Sequence, residues 1–206
     1  WSLFANFLSK KYKARIGYFY FPLYESPLAK HNFFLRVRKK IYNSFNAYEI
    51  LNEINFKTNK RKIQFYKKIF KKKIRSKSDL LNFSYKGIEF GDLIYDSYLR
   101  VTLKPTLINL NDKLIEDLFI RALINFNEIE KIFKKYDVKS VISSHTCYFQ
   151  YGLVARCAFK KKIPVYCSRG TSQGRKRLGM QLADKKTLRY FDPYHNYKKI
   201  FNSLNI

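Results

Sequence analysis

The stretch VKSVISSHTCYFQYGLVARCAFKKKIPVYC, residues 138–167, decides the fold. Its opening, VKSVISS (138–144), is short and β-branched and reads as a buried strand. Residues 148–161 read as a helix, and IPVYC (163–167) reads as a second strand. Strand, helix and strand within about 30 residues form a βαβ unit, which requires a parallel sheet and places the chain in the α/β class.

Working outward, the run NDKLIEDLFIRALINFNEIEKIFKKY predicts a long helix beginning after Asn111, its expected N-cap. Ile115, Leu118, Ala122, Phe126, Ile129 and Phe133 recur every three or four residues and form one apolar face. Asp112, Glu116 and Asp117 near its start and Lys131, Lys134 and Lys135 near its end complement the macrodipole. Toward the amino terminus, the sequence predicts a helix ending near Lys13 and a strand over 16–22. A helix over 32–54 is then expected to carry Phe34, Val37, Ile41, Phe45 and Tyr48 on one face. Residue Ser78, followed by Asp79-Leu80-Leu81, predicts a short helical turn. The stretch 171–206, with Gly174, Gly179 and Pro193, reads as the loop-rich start of an incomplete second part, so residues 1–170 are expected to form the main domain.

The 206-residue chain holds 42 Lys and Arg against 15 Asp and Glu, a net charge of +27. An apolar fraction of 46% excludes intrinsic disorder, and no stretch approaches the 18 uninterrupted apolar residues of a membrane span. The charge is uneven. Residues 1–78 carry 20 basic and 3 acidic side chains, residues 79–137 carry 8 and 10, and residues 138–206 carry 14 and 2. The densest run is KTNKRKIQFYKKIFKKKIRSK (57–77), with 11 basic residues and no acid. Ile63, Tyr66, Ile69, Phe70 and Ile74 give it an amphipathic helical period. It reads as a solvated basic face over a core-facing stripe, as a surface for anionic lipid, or as a nucleic-acid contact. No zinc-finger, RNP-like or GXXG pattern accompanies it, which argues against nucleic acid. Cys147, Cys157 and Cys167 form no CxxC pair and have apolar neighbours, so they read as small core residues in a reducing cytoplasm. The chain opens at Trp1 without an initiator Met or a signal-peptide layout, and is expected to be a piece of a longer protein.

Ligands of open parallel sheets bind beyond the carboxyl ends of the strands. Ser143-Ser144-His145-Thr146 leaves the first strand toward a helix N-terminus, a place that suits a sugar hydroxyl or a phosphate. The bland reading is that Ser144 or Thr146 caps the helix and His145 packs beside it. The loop from Ser168 to Arg177 matches neither G-x-x-x-x-G-K-[ST] nor G-x-G-x-x-G. In GIEFGDLIYDSYLR (87–100), Asp92, Asp96 and Arg100 lie four apart and share one helix face. They predict either an intrahelical Asp96–Arg100 ion pair or carboxylates that, beside Tyr95 and Tyr98, bind a sugar or act as a general base.

The order of IGYFYFP, IYNSFNAYEILN, YKGIEFGDLIYDSYLR and VISSHTCYFQYGLVARCAFKKKIPVY resembles the amino-terminal part of bacterial surface-carbohydrate (capsular polysaccharide) biosynthesis proteins. Gly87, Gly91, Asp92, Tyr95, Asp96, Tyr98, Arg100, His145, Tyr148, Arg156 and Ala158 occupy the matching positions, over roughly residues 15–170. Lys161-Lys162 departs from the pattern, where a Gly often precedes Ile-Pro. The resemblance implies a two-lobed glycosyltransferase of GT-B type, whose amino-terminal lobe is a Rossmann-like parallel sheet flanked by helices, with 57–77 as a basic helical insertion. It implies no cofactor and no metal. A nucleotide-sugar donor would be held mainly outside this chain, and a glycan or lipid-linked acceptor near the inner membrane face would bind within it. His145, Asp92 and Asp96 are then the expected catalytic residues. Gly91, Tyr95, Tyr98, Arg100, Ser144, Tyr148 and Arg156 are the expected substrate contacts.

Overall fold

The computed structural model describes residues 2–20, 32–52, 60–107, 109–143, 146–169 and 179–182. They form a mixed α/β structure, mostly helical, with small parallel sheets. The helices are α1 (Ser2–Tyr12), α2 (Asn32–Asn43), α3 (Lys60–Lys73), α4 (Lys77–Leu81), α5 (Gly91–Thr102), α6 (Lys113–Lys135) and α7 (Phe149–Lys160). The strands are β1 (Gly17–Tyr20), β2 (Tyr48–Asn52), β3 (Ser84–Tyr85), β4 (Ile88–Glu89), β5 (Val141–Ser143), β6 (Val165–Arg169) and β7 (Gly179–Leu182). Among the described residues no helix is long and apolar enough to cross a membrane.

The βαβ unit is present. β5 and β6 pair in parallel, Val141 opposite Val165 and Ser143 opposite Cys167, with α7 as the crossover. β7 adds antiparallel to β6, so this sheet extends beyond residue 170 into the stretch read as loop. A second βαβ unit was not legible: β1 and β2 pair in parallel across α2. The helix expected over 32–54 stops at Asn43, because Asn46 turns to φ +57° and the Ala47 N–H closes back on the Tyr42 carbonyl. That left-handed residue ends the helix, and Tyr48-Glu49-Ile50-Leu51 continues as strand.

The core is built around α6, against which α3, α5 and α7 pack. At 23 residues α6 is about 35 Å long. Its N-cap is Asp112, whose carboxylate accepts from the Leu114 N–H at 3.0 Å, and not Asn111, whose own N–H is taken by Asn109. Ile115, Leu118, Phe119, Ala122, Leu123, Phe126 and Ile129 are all buried. Aromatic rings run through the interior in contact: Phe70 on Phe119, Phe119 on Phe83, Phe83 on Phe90, and Phe90 on Phe126. Each such pair contributes about 0.5–1.5 kcal/mol beyond its buried area. Tyr66 and Phe70 bury the apolar stripe of α3, and Asn127 of α6 donates to the Tyr66 hydroxyl at 2.8 Å. The stripe therefore faces the core.

Between α4 and α5 the chain makes a two-residue hairpin, with Lys86 at φ +49° and Gly87 at φ +71°. Two successive left-handed residues match the twist of the paired strands. Ser76, two residues before the expected Ser78, caps α4 by accepting from the Asp79 N–H. Gly91 sits where α5 starts against α4: a Cβ there would lie 1.7 Å from the Leu80 carbonyl oxygen. That contact is with backbone and cannot relax cheaply. We predict that Gly91→Ala destabilises the chain by about 2–4 kcal/mol, read as a lower urea midpoint at unchanged slope. A midpoint equal to wild type would refute the packing.

Candidate functional site

The site forms where α5 meets α7 beyond the end of β5. Two hydrogen-bonded contacts fix the helices antiparallel. At one end, Arg156 of α7 grips Asp92 near the start of α5; at the other, Ser97 of α5 reaches the first turn of α7. Arg156 donates through both guanidinium nitrogens to both Asp92 oxygens, at 2.6 and 2.5 Å, and also to the Glu89 carbonyl at 2.7 Å. Its side chain is 8% exposed and that of Asp92 is 21% exposed, so the pair is a mostly desolvated bidentate fork. Arg156, expected to contact substrate, is thus occupied as an internal strut.

Ser97 is fully buried in the middle of α5, an uncommon place for serine. Its hydroxyl donates to the Leu93 carbonyl at 2.6 Å and accepts from the Phe149 N–H at 3.1 Å. It therefore satisfies one of the N–H groups that a helix leaves open at its start. Gly152 completes the approach, since a Cβ there would lie 2.2 Å from the Thr146 carbonyl oxygen and 2.8 Å from Leu93. Tyr148, the N-cap residue of α7, has φ +58° and ψ +148°. Such backbone is sparsely populated by L-residues and costs on the order of 1–3 kcal/mol. The strain lies in the loop that leaves β5.

Asp96 stands one helical turn from Asp92 and next to Ser97. Its carboxyl pKa is pushed up to about 6, first by burial of the carboxyl, then by the like charge of Asp92, with Arg156 pulling the other way. The residue as a whole remains open to solvent, and water screens part of the effect. Cys147 lies close by, half-buried. Burial pushes its thiol pKa up, Asp96 and Asp92 add to the rise and Arg156 opposes it. Composition around the cysteines pointed to three core residues; Cys157 and Cys167 are buried, but Cys147 borders this carboxylate pair. The signal was its position two residues after the strand-end histidine.

Several expected site residues have other tasks. The Tyr98 hydroxyl donates to Asp112 at 2.6 Å, bracing the N-cap of α6. That bond holds the Asp112 carboxyl below its usual range and, with burial, pushes the Tyr98 phenol up to about 12. Tyr95 is buried and bonds Thr106 at 3.0 Å beneath Lys77. Burial pushes its phenol up, but the bonds with Lys77 and Thr106 bring the net below the usual value. Gly91 is a packing glycine. The expected Asp96–Arg100 ion pair does not form: Arg100 is exposed and has no acidic partner among the described residues. Ser144 and His145 lie outside the described residues. Asp92, Asp96, Tyr148 and Arg156 are thus brought into one neighbourhood, Arg100 lies one turn beyond Asp96, and Gly91, Tyr95 and Tyr98 serve the scaffold. Among the described residues no three His, Cys, Asp or Glu side chains converge as a metal site. No protein-family model, curated protein or solved structure matches this chain.

Two predictions follow from the geometry. Arg156→Met leaves Asp92 desolvated without its partner and destabilises the chain by about 3 kcal/mol. The double variant Arg156→Met/Asp92→Leu recovers more than half of that in a urea double-mutant cycle; additive losses would refute the coupling. For Asp96, the folded chain holds the proton more tightly than the unfolded chain, whose carboxyl titrates near 3.8. Stability therefore falls as pH rises from about 4 to about 6 and stays lower above that window. Asp96→Asn removes the loss, so its melting temperature exceeds that of wild type at neutral pH and matches it below about pH 4. A gain of equal size at both pH values would sink the assignment.

Proposed function

We propose that this chain is the amino-terminal, Rossmann-like lobe of a glycosyltransferase-like protein of surface polysaccharide biosynthesis, with Asp96 as the base that takes the acceptor hydroxyl proton. One observation carries the reading: Asp96 is a solvent-facing residue whose partly buried carboxyl has a raised pKa and no ion-pair partner of its own among the described residues, held beside the fixed Asp92–Arg156 fork near the outlet of parallel strand β5. A carboxyl that titrates near pH 6 is still ionised at neutral pH and is a stronger base than an ordinary aspartate. The two parallel βαβ units, the open guanidinium of Arg100 and the strained Tyr148 outlet support it further.

In the proposed step the acceptor oxygen forms a bond to the donor's anomeric carbon as its proton passes to Asp96. The bond from that carbon to the nucleoside diphosphate oxygen breaks, and the electron pair leaves with the diphosphate. Burial of the carboxyl and the charge of Asp92, the latter partly offset by Arg156, keep the basicity of Asp96 up. Arg100, about 6 Å along the helix axis from Asp96, offers charge to the leaving phosphate or to an anionic acceptor. His145, two residues after the end of β5 in sequence, is the second candidate base. The donor nucleotide would be held mainly by a second lobe outside this chain, in the cytoplasm at the inner membrane face.

The test is surface-glycan synthesis by the intact parent protein in its own cell. Asp96→Asn should lower glycan output by about 100-fold or more at normal protein level, and Arg100→Ala should lower it less. In extracts, the acid limb of the pH–rate profile should rise through about pH 6, the value of Asp96. Wild-type glycan from the double variant Asp96→Ala/His145→Ala would overturn the proposal.

A further inference from the structure

A different surface, separate in sequence from this site, is the outward face of α3. Helix α3 contains Lys60, Arg61, Lys62, Lys67, Lys68, Lys71, Lys72 and Lys73 and no acidic residue. Its apolar stripe is used inside the protein, with Tyr66 and Phe70 buried, so the opposite face is what it offers to partners. Along that face Arg61, Phe65, Lys68 and Lys72 follow at spacings of four, three and four, and all are exposed. They form one straight line about 16 Å long. Lys67 pairs with Glu116 of α6, whereas Lys68, Lys71, Lys72 and Lys73 have no acidic partner among the described residues. Like charges three and four apart on a helix repel one another, and an anionic surface relieves that repulsion.

Phe65 is 56% exposed in the middle of this line. An apolar ring flanked by Arg61, Lys62 and Lys68 matches the boundary of a lipid bilayer, where the ring enters the headgroup level and lysine stems reach the phosphates. The same composition recurs on α1, where Leu3 and Phe7 are exposed ahead of Lys10 and Lys11, and on α2, where Val37 and Ile41 are exposed beside Arg36, Lys39 and Lys40. Phe7 and Phe65 present a π-face, but Leu3, Val37 and Ile41 offer none on which a nucleobase could stack, and the exposed face of α3 presents mainly lysine point charges. We infer that the outward face of α3, centred on Phe65, Lys68 and Lys72, docks on anionic phospholipid bilayer. This inference is independent of glycan transfer.

The experiment is sedimentation of the 206-residue chain with vesicles of phosphatidylcholine alone or with about 30% phosphatidylglycerol. The chain should bind the anionic vesicles, not the neutral ones, and should dissociate as salt is raised. Lys68→Glu/Lys72→Glu should lower the bound fraction about tenfold or more. Lys134→Glu/Lys135→Glu, the same charge change at the end of α6, should leave binding near wild type. Phe65→Trp should bind as well as wild type, with emission that shifts to the blue on anionic vesicles after the wild-type signal is subtracted. Absence of binding, equal loss in the two double variants, or an unshifted emission from the Phe65→Trp variant would overturn the inference. So would a random DNA duplex that binds more tightly at the same salt and is lost with the same two lysines, which would make this face a nucleic-acid contact.

Discussion

Arg156 ties three elements together with one side chain. Its guanidinium binds both oxygens of Asp92 at the start of α5 and the carbonyl of Glu89 at the end of the hairpin, from a position two turns into α7. The two charges are largely removed from water, so the pair is stabilising only while both partners and their geometry are intact. That condition makes it a constraint on the whole interface. With Asp92 held at one end and Ser97 capping α7 at the other, α5 has little freedom to slide or rotate. Asp96, between the two anchors, is then presented to the outlet of β5 by rigid helix and not by a loop.

The rest of the packing lets that interface hold strain. Gly152 brings the start of α7 against Leu93 and the Thr146 carbonyl, and Gly91 brings the start of α5 against the Leu80 carbonyl. Both contacts exclude even a methyl group. The Tyr148 backbone, in a region that L-residues avoid, persists because the Phe149 N–H is taken by Ser97 on one side and Val141–Ser143 is fixed in the sheet on the other. Strain of this kind persists only where the surrounding structure over-determines it.

The parts of this arrangement that sequence revealed are those written in local periodicity. The apolar recurrence of α6, the β-branched run of β5 and the length of α7 depend on neighbours three or four residues away, and they read correctly. The face shared by Asp92, Asp96 and Arg100 follows from the same spacing. What those residues meet does not. Arg156 lies 64 positions from Asp92, and nothing local distinguishes a strut from a phosphate ligand. Tyr98 and Asp112, 14 apart, read as a substrate contact and an acidic first turn, yet they form one bond across a helix junction. The β2 strand was hidden because Val37, Ile41, Phe45 and Tyr48 continue a helical spacing through the turn, and only the left-handed Asn46 breaks it.

The chain's charge also separates long-range from local electrostatics. A net +27 favours the ionised form of every carboxylate, yet the balance at Asp96 goes the other way. Exposed charges beyond a Debye length of about 8–10 Å are largely screened, so the lysines of α3 and the flanking helices weigh less on this group than burial and Asp92 do. A surface field of this sign attracts anions in general. A basic exterior and a carboxylate of raised proton affinity are therefore compatible within one small fold, because burial and Asp92 decide the second and the screened lysines do not.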